Sequence, residues 1–509
     1  LRTTLGFGLR MILFIILPAM LGLILLRQPI VHLFFEHGTF TAHDTAETAL
    51  AVLCYSVGLW AFGGVRIIVS AFYSMQDTRT PAISAAIAVV ANLVFSLLLM
   101  SSLGAAGLAV NLGGYVGFNS VWQRVMGNED RRPAEGDIEQ MRGFIEAGLE
   151  QGAWGVSSGL DYKPGYFART SEVVQVVSAA RPWRTNFANH DRVTPESNFS
   201  GKAGIAETIA IGEEAGLIPV ATHMKTVGRE KGTAADLLAM LETATRRGAY
   251  TAADAYPYLA GQTGLGALFI PGWAQEGGRP ALLKRLADPA TRARIVAETE
   301  LALAARIGGP ESVYLPETRR QLTDVMKEMQ AGAGEAMMRL LEQGTPSAIL
   351  RFGIEEDLVK ILQDPVTSMA CDCGASTSTA GHPRYYGSFP RVLGRYVRED
   401  KIMSWEEAIR KSTSLPAATI GMADRGLISV GMAADVVVFD PRTIVDHATY
   451  EDPAVLSEGV QFVLVNGQVA LSGGRATGAR AGRPLLRTPN LPSRPSSTTT
   501  ARSLSATGV

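Results

Sequence analysis

The hydrophobic pattern divides the chain into two parts. Three nearly pure apolar stretches lie at Met11–Leu26, Ala49–Met75 and Ala82–Leu103, and a weaker, glycine-rich stretch follows at Ala105–Trp122. A helix needs about 20 apolar residues to cross a bilayer core. The pattern therefore predicts an all-α transmembrane segment over 1–122 that makes lipid bilayer contact. A very apolar soluble core is the alternative, but it is disfavoured because these residues include only nine charged side chains and no lysine.

Arg66 is the only charge in the second apolar stretch. A charge inside a membrane span normally faces protein or water, which makes Arg66 a functional candidate. The alternative is that its side chain snorkels to the interface. The remainder of the chain has the polarity of a soluble protein, so we expect a multi-pass membrane protein with a soluble C-terminal part.

From residue 123 onward the pattern changes to alternating strands and helices. Three short apolar runs end at or near His190, His223 and Asp254. The segments between them carry helix-period apolar positions and end in glycine, at Lys202–Gly216 and Thr233–Gly248. Repeated strand–helix units predict a parallel sheet, most simply a (β/α) barrel.

A fourth polar residue follows a strand further along the chain. Asp372 comes after the apolar run Thr367–Cys371. In a barrel, chemistry sits at the carboxyl ends of the strands, and two His with an Asp are the ligand and base types of a zinc hydrolase. A lone strand-end His is more often a hydrogen-bonded residue, but two His one repeat apart, followed by this Asp, favour a metal site.

Other elements frame this predicted barrel. Asp137–Gly152 is predicted as an amphipathic helix, Gly272–Gly344 as a mostly helical insertion, and Ser404–Glu407 as a capping box that opens a helix ending at Ser412. AADVVVFDP and QFVLVNGQVAL predict antiparallel strands. We assign the barrel to 123–412, these strands to 413–487, and a disordered tail rich in Ser, Thr and Pro to 488–509.

Composition narrows the function classes. The formal net charge is −1, so the chain has no basic footprint and no nucleic acid partner is expected. Three cysteines exclude a disulfide framework. Cys371 and Cys373 are separated by a single residue, which is a poor spacing for zinc, and we interpret them as small core residues.

Eight segments of the soluble part carry a family resemblance. They are ARTSEVVQVV, NHDRVTPES, THMKTVG, ADAYPY, GHPRYYGSFPRVLGRYVRED, SWEEAIRKSTSLPA, DRGLISVGMAADVVVFDP and VQFVLVNGQVAL. Together they resemble the D-aminoacylases, the N-acyl-D-amino-acid deacylases of the amidohydrolase superfamily. The resemblance implies an α/β fold with a TIM-like barrel and a flanking small β-sandwich. It also implies a Zn²⁺ cofactor and a small-molecule N-acyl-D-amino acid as substrate.

The resemblance gives the candidate residues specific roles. His190 and His223 would ligate zinc, and Asp372 would be the catalytic base. Lys225 and Arg384 would pair with the substrate carboxylate, although without the family context a surface charge is an equal alternative. Tyr162 would border the substrate pocket, Asp254 and Tyr256 would shape or support it, and His382 is a further site candidate. For Tyr162, a packed loop is the equal alternative.

Some of the family's metal ligands have no counterpart here. The resemblance implies an H-x-H pair on the first barrel strand and a bridging cysteine, both upstream of Arg124. None of the seven histidines forms H-x-H, and Cys54 lies inside a hydrophobic stretch. We therefore expect a barrel that lacks its first strands, only part of the β-sandwich, and impaired zinc-dependent hydrolysis.

The N-terminal part resembles a different family. PIVHLFFEHGTFTAHDTAETA, CYSVGLWAFGGVRIIVSAFYSMQDTRTPAISAA and NLVFSLLL are similar to MurJ/MviN lipid II flippases of bacterial inner membranes. Those proteins have many more spans than the segment provides, and we place the join near Trp122–Arg124. Three interpretations follow: an impaired deacylase fused to a membrane segment, a transport fragment with a remnant hydrolase tail, or a membrane-anchored binding protein.

Overall fold

The computed structural model describes residues 108–374 and 378–487, together with 16, 18, 20–32, 45, 48, 49 and 56. The chain separates into two units, Leu1–Gly104 and Ala105–Val509. In the first unit, residues 20–32 are helical. Most of the predicted membrane spans, Arg66 and the predicted tail after residue 487 lie outside the described residues. No helix among the described residues is long and apolar enough to cross a bilayer.

A six-stranded parallel sheet forms the centre of the second unit. Its order is β1-β2-β3-β4-β5-β10, and every neighbouring pair runs parallel. The strands are β1 Val116–Gly117, β2 Gly155–Gly159, β3 Asn186–His190, β4 Ile218–Ala221, β5 Ala252–Ala255 and β10 Thr367–Met369. The predicted strand–helix alternation is confirmed. Within the described residues β1 and β10 are the two ends of the sheet, so the barrel is incomplete.

Helices pack against this sheet. Those preceding the insertion are α1 Phe118–Met126, α2 Glu135–Glu150, α3 Thr170–Val177, α4 Gly201–Ala215 and α5 Ala234–Arg246. Helix α4 begins where the Ser200 side chain accepts a hydrogen bond from Ala203 N, and it ends at Gly216, whose φ of 71° suits glycine. Helix α2 buries Met141, Ile145 and Leu149, as its apolar spacing predicts.

The interpretation of Ala105–Trp122 as a fourth membrane span is wrong for its described residues. Val116 and Gly117 form β1, which pairs with β2. The side chains of Phe118 and Trp122 are completely buried in the hydrophobic core of the second unit. A Cβ on Gly148 of α2 would lie 2.4 Å from the Val116 side chain, so glycine is required at this contact.

The error has a physical cause. A buried parallel strand and its flanking helix are apolar on all sides, so hydropathy alone does not distinguish them from a membrane span. The second unit extends from Ala105, whereas the predicted join lies near Trp122–Arg124.

An insertion between β5 and β10 builds a second, antiparallel sheet. Its order is β6-β9-β7-β8, with strands β6 Ala260–Gly264, β7 Val313–Leu315, β8 Arg320–Gln321 and β9 Ser347–Arg351. Its helices are α6 Gly272–Gln275, α7 Gly278–Leu286, α8 Pro289–Ile307, α9 Leu322–Met329, α10 Ala333–Gln343 and α11 Glu355–Gln363. The predicted helical insertion is thus mostly helical but also contains two strands.

The C-terminal part completes the unit. Helices α12 Arg384–Arg391, α13 Trp405–Ser412 and α14 Ser414–Ile420 follow β10, with a π-helical segment Val392–Glu399 after α12. The Ser404 side chain caps α13 by accepting from Glu407 N, as predicted. A third sheet is antiparallel, with β11 Val436–Phe439, β12 Val460–Val465, β13 Gln468–Ser472 and β14 Arg475–Ala476.

Candidate active site

A cavity of about 510 Å³ lies at the carboxyl ends of the parallel strands. His190 ends β3, His223 follows β4, Asp254 lies in β5 and Asp372 follows β10. The volume is typical of a small-molecule site. Eight of the ten predicted site residues line this cavity: Tyr162, His190, His223, Lys225, Asp254, Tyr256, Asp372 and Arg384. Arg66 lies outside the described residues, and His382 lies behind the cavity wall.

The two imidazoles face one another. His190 Nδ1 and His223 Nε2 are 2.9 Å apart, and Lys225 Nζ is 2.8 Å from His223 Nδ1. A lysine ammonium can only donate, so His223 Nδ1 accepts and His223 Nε2 carries the proton that it donates to His190. Burial, reinforced by the charge of Lys225, lowers the pKa of His223 far below its usual value. His223 is therefore neutral, the form in which an imidazole binds metal.

Asp161 was missed by the sequence reasoning. Its carboxylate is 2% exposed, and its Oδ2 is 3.7 Å from His190 Nε2. Arg306 of α8 forms an ion pair with Asp161 and also donates to the carbonyl of Val193. Burial opposes ionisation of Asp161, but the charge of Arg306 outweighs it and keeps the carboxyl pKa below its usual value. The Asp161 carboxylate therefore lies beside the His190 ring without a hydrogen bond to it, and Arg306 of α8 in the insertion holds Asp161.

Asp254 supports His223 through the main chain. Its Oδ1 accepts from His223 N at 2.6 Å, and its carbonyl accepts from Met224 N at 2.8 Å. These bonds hold His223 at a φ of 38°, a left-handed conformation that a histidine seldom adopts. Burial raises the pKa of Asp254 to about 6. Asp254 thus contacts the main chain of His223 and Met224.

Asp372 and Arg384 contact each other directly. Arg384 Nη1 is 2.7 Å from Asp372 Oδ2, with the arginine side chain 6% exposed and the aspartate 40%. The guanidinium carbon also lies 5.1 Å from the centre of the Tyr256 ring. The predicted base and the predicted carboxylate clamp are therefore paired in this structure. Each must release the other before both can act as predicted.

Two buried polar atoms of the cavity wall have no hydrogen-bond partner within the described residues. One is Arg384 Nε, a donor, and the other is Gln262 Oε1, an acceptor. The Gln262 side chain is fixed through its other end, since its Nε2 donates to Ser347 Oγ at 3.1 Å. Buried polar atoms are normally satisfied. An unpaired donor and an unpaired acceptor therefore mark this cavity as a site for a ligand that offers both.

His382 is a structural residue rather than a cavity residue. Its imidazole is completely buried, with Nε2 2.9 Å from the carbonyl of Ala260 and Nδ1 accepting from Arg384 N at 3.0 Å. The rings of Tyr258 and Tyr450 each lie 5.1 Å from it. Burial lowers its pKa to about 3. This neutral imidazole ties β6 to the start of α12.

The two cysteines beside Asp372 form a disulfide, so their interpretation as small core residues is wrong. Cys373 is exposed in the loop after β10, and Cys371 is half-buried. This loop leaves the sheet at the cavity, which Ala370 and Asp372 line. The bond closes a short ring around Asp372, whose φ is 48°.

The described residues supply only part of a metal site. His190 and His223 carry nitrogen donors of the type that zinc binds, but their Nδ1 and Nε2 atoms are 2.9 Å apart and are hydrogen-bonded to each other. Across the described part of the chain, however, no three His, Cys, Asp or Glu side chains cluster closely enough to hold an ion. Catalytic zinc usually has three protein ligands. The donor set of the described residues thus fits zinc in chemistry but falls short in number.

Comparison with known proteins agrees with the fold and the cavity. Residues 178–471 match the model of the amidohydrolase family. D-aminoacylase of Alcaligenes xylosoxydans xylosoxydans is 31% identical over 391 residues, which cover 76% of this chain and 73% of that relative. The chain belongs to the amidohydrolase family. It is therefore a member of a family of metal-dependent amide hydrolases, and the resemblance seen in its motifs is confirmed.

Solved structures extend this finding. A crystal structure of D-aminoacylase matches with a TM-score of 0.63 and 29% identity, over 76% of this chain and 74% of that one. The N-acyl-D-glutamate deacylase of Bordetella bronchiseptica, solved with zinc and a phosphonate inhibitor, matches with a TM-score of 0.62, 28% identity and the same two coverages. The incomplete sheet described above therefore corresponds to part of an amidohydrolase-type α/β fold.

The N-terminal part matches a second family. Residues 1–125 match the model of the lipid II flippase MurJ. The probable lipid II flippase MurJ of Vibrio cholerae is 38% identical over 107 residues, which cover 21% of this chain and 20% of that relative. The chain thus spans about a fifth of the flippase. The family match runs to residue 125, although residues from 108 onward are built into the hydrolase unit.

Proposed function

We propose that the cavity binds N-acyl-D-amino acids and that the chain is a zinc-dependent N-acyl-D-amino-acid deacylase by descent, with weak or absent turnover as it stands. The observation that carries this proposal is the polar character of one cavity. Two facing imidazoles, a buried unpaired donor and a buried unpaired acceptor all line it. The relatives named as deacylases of D-amino-acid derivatives support the substrate class.

Substrate recognition follows from the unpaired atoms. An N-acyl amino acid carries a carboxylate, which accepts hydrogen bonds, and an amide N–H, which donates one. We place the carboxylate at Arg384 Nε and Lys225 Nζ and the amide N–H at Gln262 Oε1. The contacts at Arg384 Nε and Gln262 Oε1 satisfy atoms that are otherwise buried without a partner, which avoids a cost of about 1–3 kcal/mol per group. Lys225 Nζ, which already contacts His223, adds a positive charge beside the carboxylate. Tyr162 and Tyr256 border the same space.

The chemistry would use the strand-end residues. His190 Nδ1 and His223 Nε2 would hold the zinc ion, which requires the proton of His223 to move from Nε2 to Nδ1 and Lys225 to stop donating to Nδ1. A bound zinc ion supplies Lewis-acid polarisation of the carbonyl and activates water at neutral pH. Asp372 takes the proton from the attacking water and returns it to the leaving amine. It becomes available for this role when the substrate carboxylate takes over the guanidinium of Arg384. Asp161 and Asp254 keep the two imidazoles in place.

We expect weak turnover because the described part of the chain has too few metal ligands. Loss of residues that merely orient metal ligands costs about 10–100-fold in affinity or activity, and missing ligands should cost more. No histidine pair of the form H-x-H occurs anywhere in the sequence. We therefore expect substrate binding to survive better than catalysis.

The test separates binding from turnover. The purified full chain with added zinc is assayed for amine release from N-acetyl-D-amino acids, with the L-enantiomers and His223→Ala as controls. Binding of the same compounds is measured by titration calorimetry. We expect binding that favours the D-enantiomer and little amine release. Robust turnover that is abolished by His223→Ala would contradict the impaired site, and no binding at all would contradict the substrate class.

The flippase-like segment supports a proposal about location and not about transport. We propose that residues 1–122 place the protein in a bacterial inner membrane, because their sequence matches a lipid II flippase. A cavity for a lipid substrate needs helices from both halves of such a transporter, and the match covers about a fifth of one. Membrane fractionation tests the location. A positive lipid II transport assay would favour the alternative function, a flippase fragment with a remnant hydrolase tail.

A further inference from the structure

A second cavity, of about 430 Å³, lies on the other side of the wall that closes the first. Strand β9 and its extension separate the two. Leu350 and Phe352 line the first cavity, whereas Arg351 and Gly353 line the second. Alternate residues of a strand point to opposite faces. The two cavities are therefore back to back and share this wall without sharing a lining residue.

The second cavity is cationic and aromatic. Its lining includes three arginines, three tyrosines and a single carboxylate: Arg351, Arg391, Arg395, Tyr258, Tyr396, Tyr450 and Glu355. Such a concentration of guanidinium groups around one space is unusual for a surface that has no ligand, because like charges repel across a site of reduced dielectric.

The three arginines differ in what they already bind. Arg391 pairs with Asp446 at 3.1 Å, and Arg395 pairs with Glu355 at 2.9 Å. Arg351 forms no ion pair with any carboxylate of the described residues, and its guanidinium carbon lies 5.7 Å from the centre of the Tyr450 ring. Arg351 Nη1 lies 3.2 Å from the side-chain amide of Gln321, so the cavity presents one guanidinium that has no carboxylate partner among the described residues but retains donors for an anion.

The aromatic rings define the rest of the space. The centres of the Tyr258 and Tyr450 rings are 6.5 Å apart, and their planes meet at 73°. His382 packs behind both rings and holds them in place. Rigid aromatic walls at a steep angle suit a flat apolar group, which stacks on one ring and meets the edge of the other.

We propose that this second cavity is a binding site for a small organic monocarboxylate with a flat, apolar body. Arg351 receives the carboxylate through the two parallel N–H donors of its guanidinium, and Tyr258 and Tyr450 flank the body of the ligand. One unpaired guanidinium matches one negative charge. The site is distinct from the cavity of His190 and His223 and does not depend on the reaction proposed for that cavity.

The test uses benzoate and calorimetry on the full chain. Because Arg384 of the first cavity could also bind a carboxylate, the titration is done in an Arg384→Gln background. We expect benzoate to bind this variant, benzamide to bind at least about tenfold more weakly, and the added substitution Arg351→Gln to weaken benzoate at least about tenfold. Arg351→Lys should recover part of the affinity, since it restores charge but not the paired donors.

Each alternative result has a defined meaning. Equal binding of benzoate and benzamide would overturn the role of charge. Benzoate binding that is lost in Arg384→Gln, or unchanged by Arg351→Gln, would overturn the site itself. Thermal midpoints within a few degrees of the parent show that Arg351→Gln remains folded. If it unfolds, Tyr450→Leu replaces it, with the same expected loss of benzoate affinity.

Discussion

The parallel sheet and the antiparallel sheet of the insertion contribute different things to the same cavity. Strands β3, β4, β5 and β10 place His190, His223, Asp254 and Asp372 at one edge. The antiparallel sheet contributes Gln262 and the apolar residues Leu350 and Phe352, and its far face forms a second cavity. The parallel sheet thus provides the residues proposed for the chemistry, whereas the insertion provides an apolar part of the cavity wall and one of its unpaired polar atoms. Substitutions in one sheet should therefore impair the contribution of that sheet without abolishing the contribution of the other.

A substitution in α1, the helix that follows β1, should destabilise the part of the molecule that contains the parallel sheet. Trp122→Ala removes a completely buried ring from the contact between α1 and α2, so we expect a loss of about 3–5 kcal/mol in the free energy of unfolding. Val110→Ala is the matched control in the same segment, because Val110 is 62% exposed and should change stability by less than about 0.5 kcal/mol. Denaturant unfolding of the hydrolase unit measures both. Equal changes in stability for the two substitutions would indicate that residues 108–122 belong to the membrane segment instead.

The link between the two regions can be broken at Asp161. Asp161→Asn leaves Arg306 of α8 buried without a carboxylate, so we expect a loss of about 3 kcal/mol in unfolding free energy. The same change should free the His190 ring, which nitrogen NMR of the imidazole would register as a mixture of tautomers. Asp324→Asn, an exposed carboxylate of the insertion, is the control. A His190 spectrum that stays unchanged would remove Asp161 from its positioning role.

The selectivity of the two cavities can be compared with one pair of variants. Arg384→Gln should weaken binding of an N-acetyl-D-amino acid by about tenfold or more, because a charge-assisted hydrogen bond contributes about 1.5–3 kcal/mol. Arg351→Gln should leave that binding unchanged, since Arg351 faces the other cavity. Calorimetry on the two proteins provides the measurement. A reversal of the two effects would mean that the cavities have been assigned the wrong ligands.

Lowering the pH should destabilise the folded state through His382, which ties β6 to the start of α12. Burial, reinforced by the charge of Arg384, lowers the pKa of His382 in the folded state to about 3, below the usual value of about 6.5. The unfolded chain therefore takes up a proton first, and this contribution to stability is lost as pH falls from about 6.5 towards 3. The neighbouring tyrosines stay uncharged in this range. The difference between the thermal midpoints at pH 7 and pH 4.5 should become smaller in His382→Gln. An unchanged pH dependence of the thermal midpoint in this variant would contradict the role given to His382.

The sequence predicts the regular part of this site well. His190, His223 and Asp254 each follow an apolar run at similar intervals, so the strand–helix repeat places them at one sheet edge. The pairing of Asp161 with Arg306 has no such signal, because the insertion brings together residues 145 positions apart. The contact between Asp372 and Arg384 is likewise tertiary. Ala105–Trp122 was misassigned because an apolar run looks the same in a bilayer and in a core.

Zinc binding by the full chain tests the central claim most directly. We would titrate the metal-free protein with zinc by calorimetry and repeat the titration with His190→Ala and His223→Ala. Two ligand nitrogens at the edge of the parallel sheet predict one weakly bound ion per chain, lost in both variants. Two tightly bound ions per chain, or one ion whose affinity does not change in His223→Ala, would contradict the account.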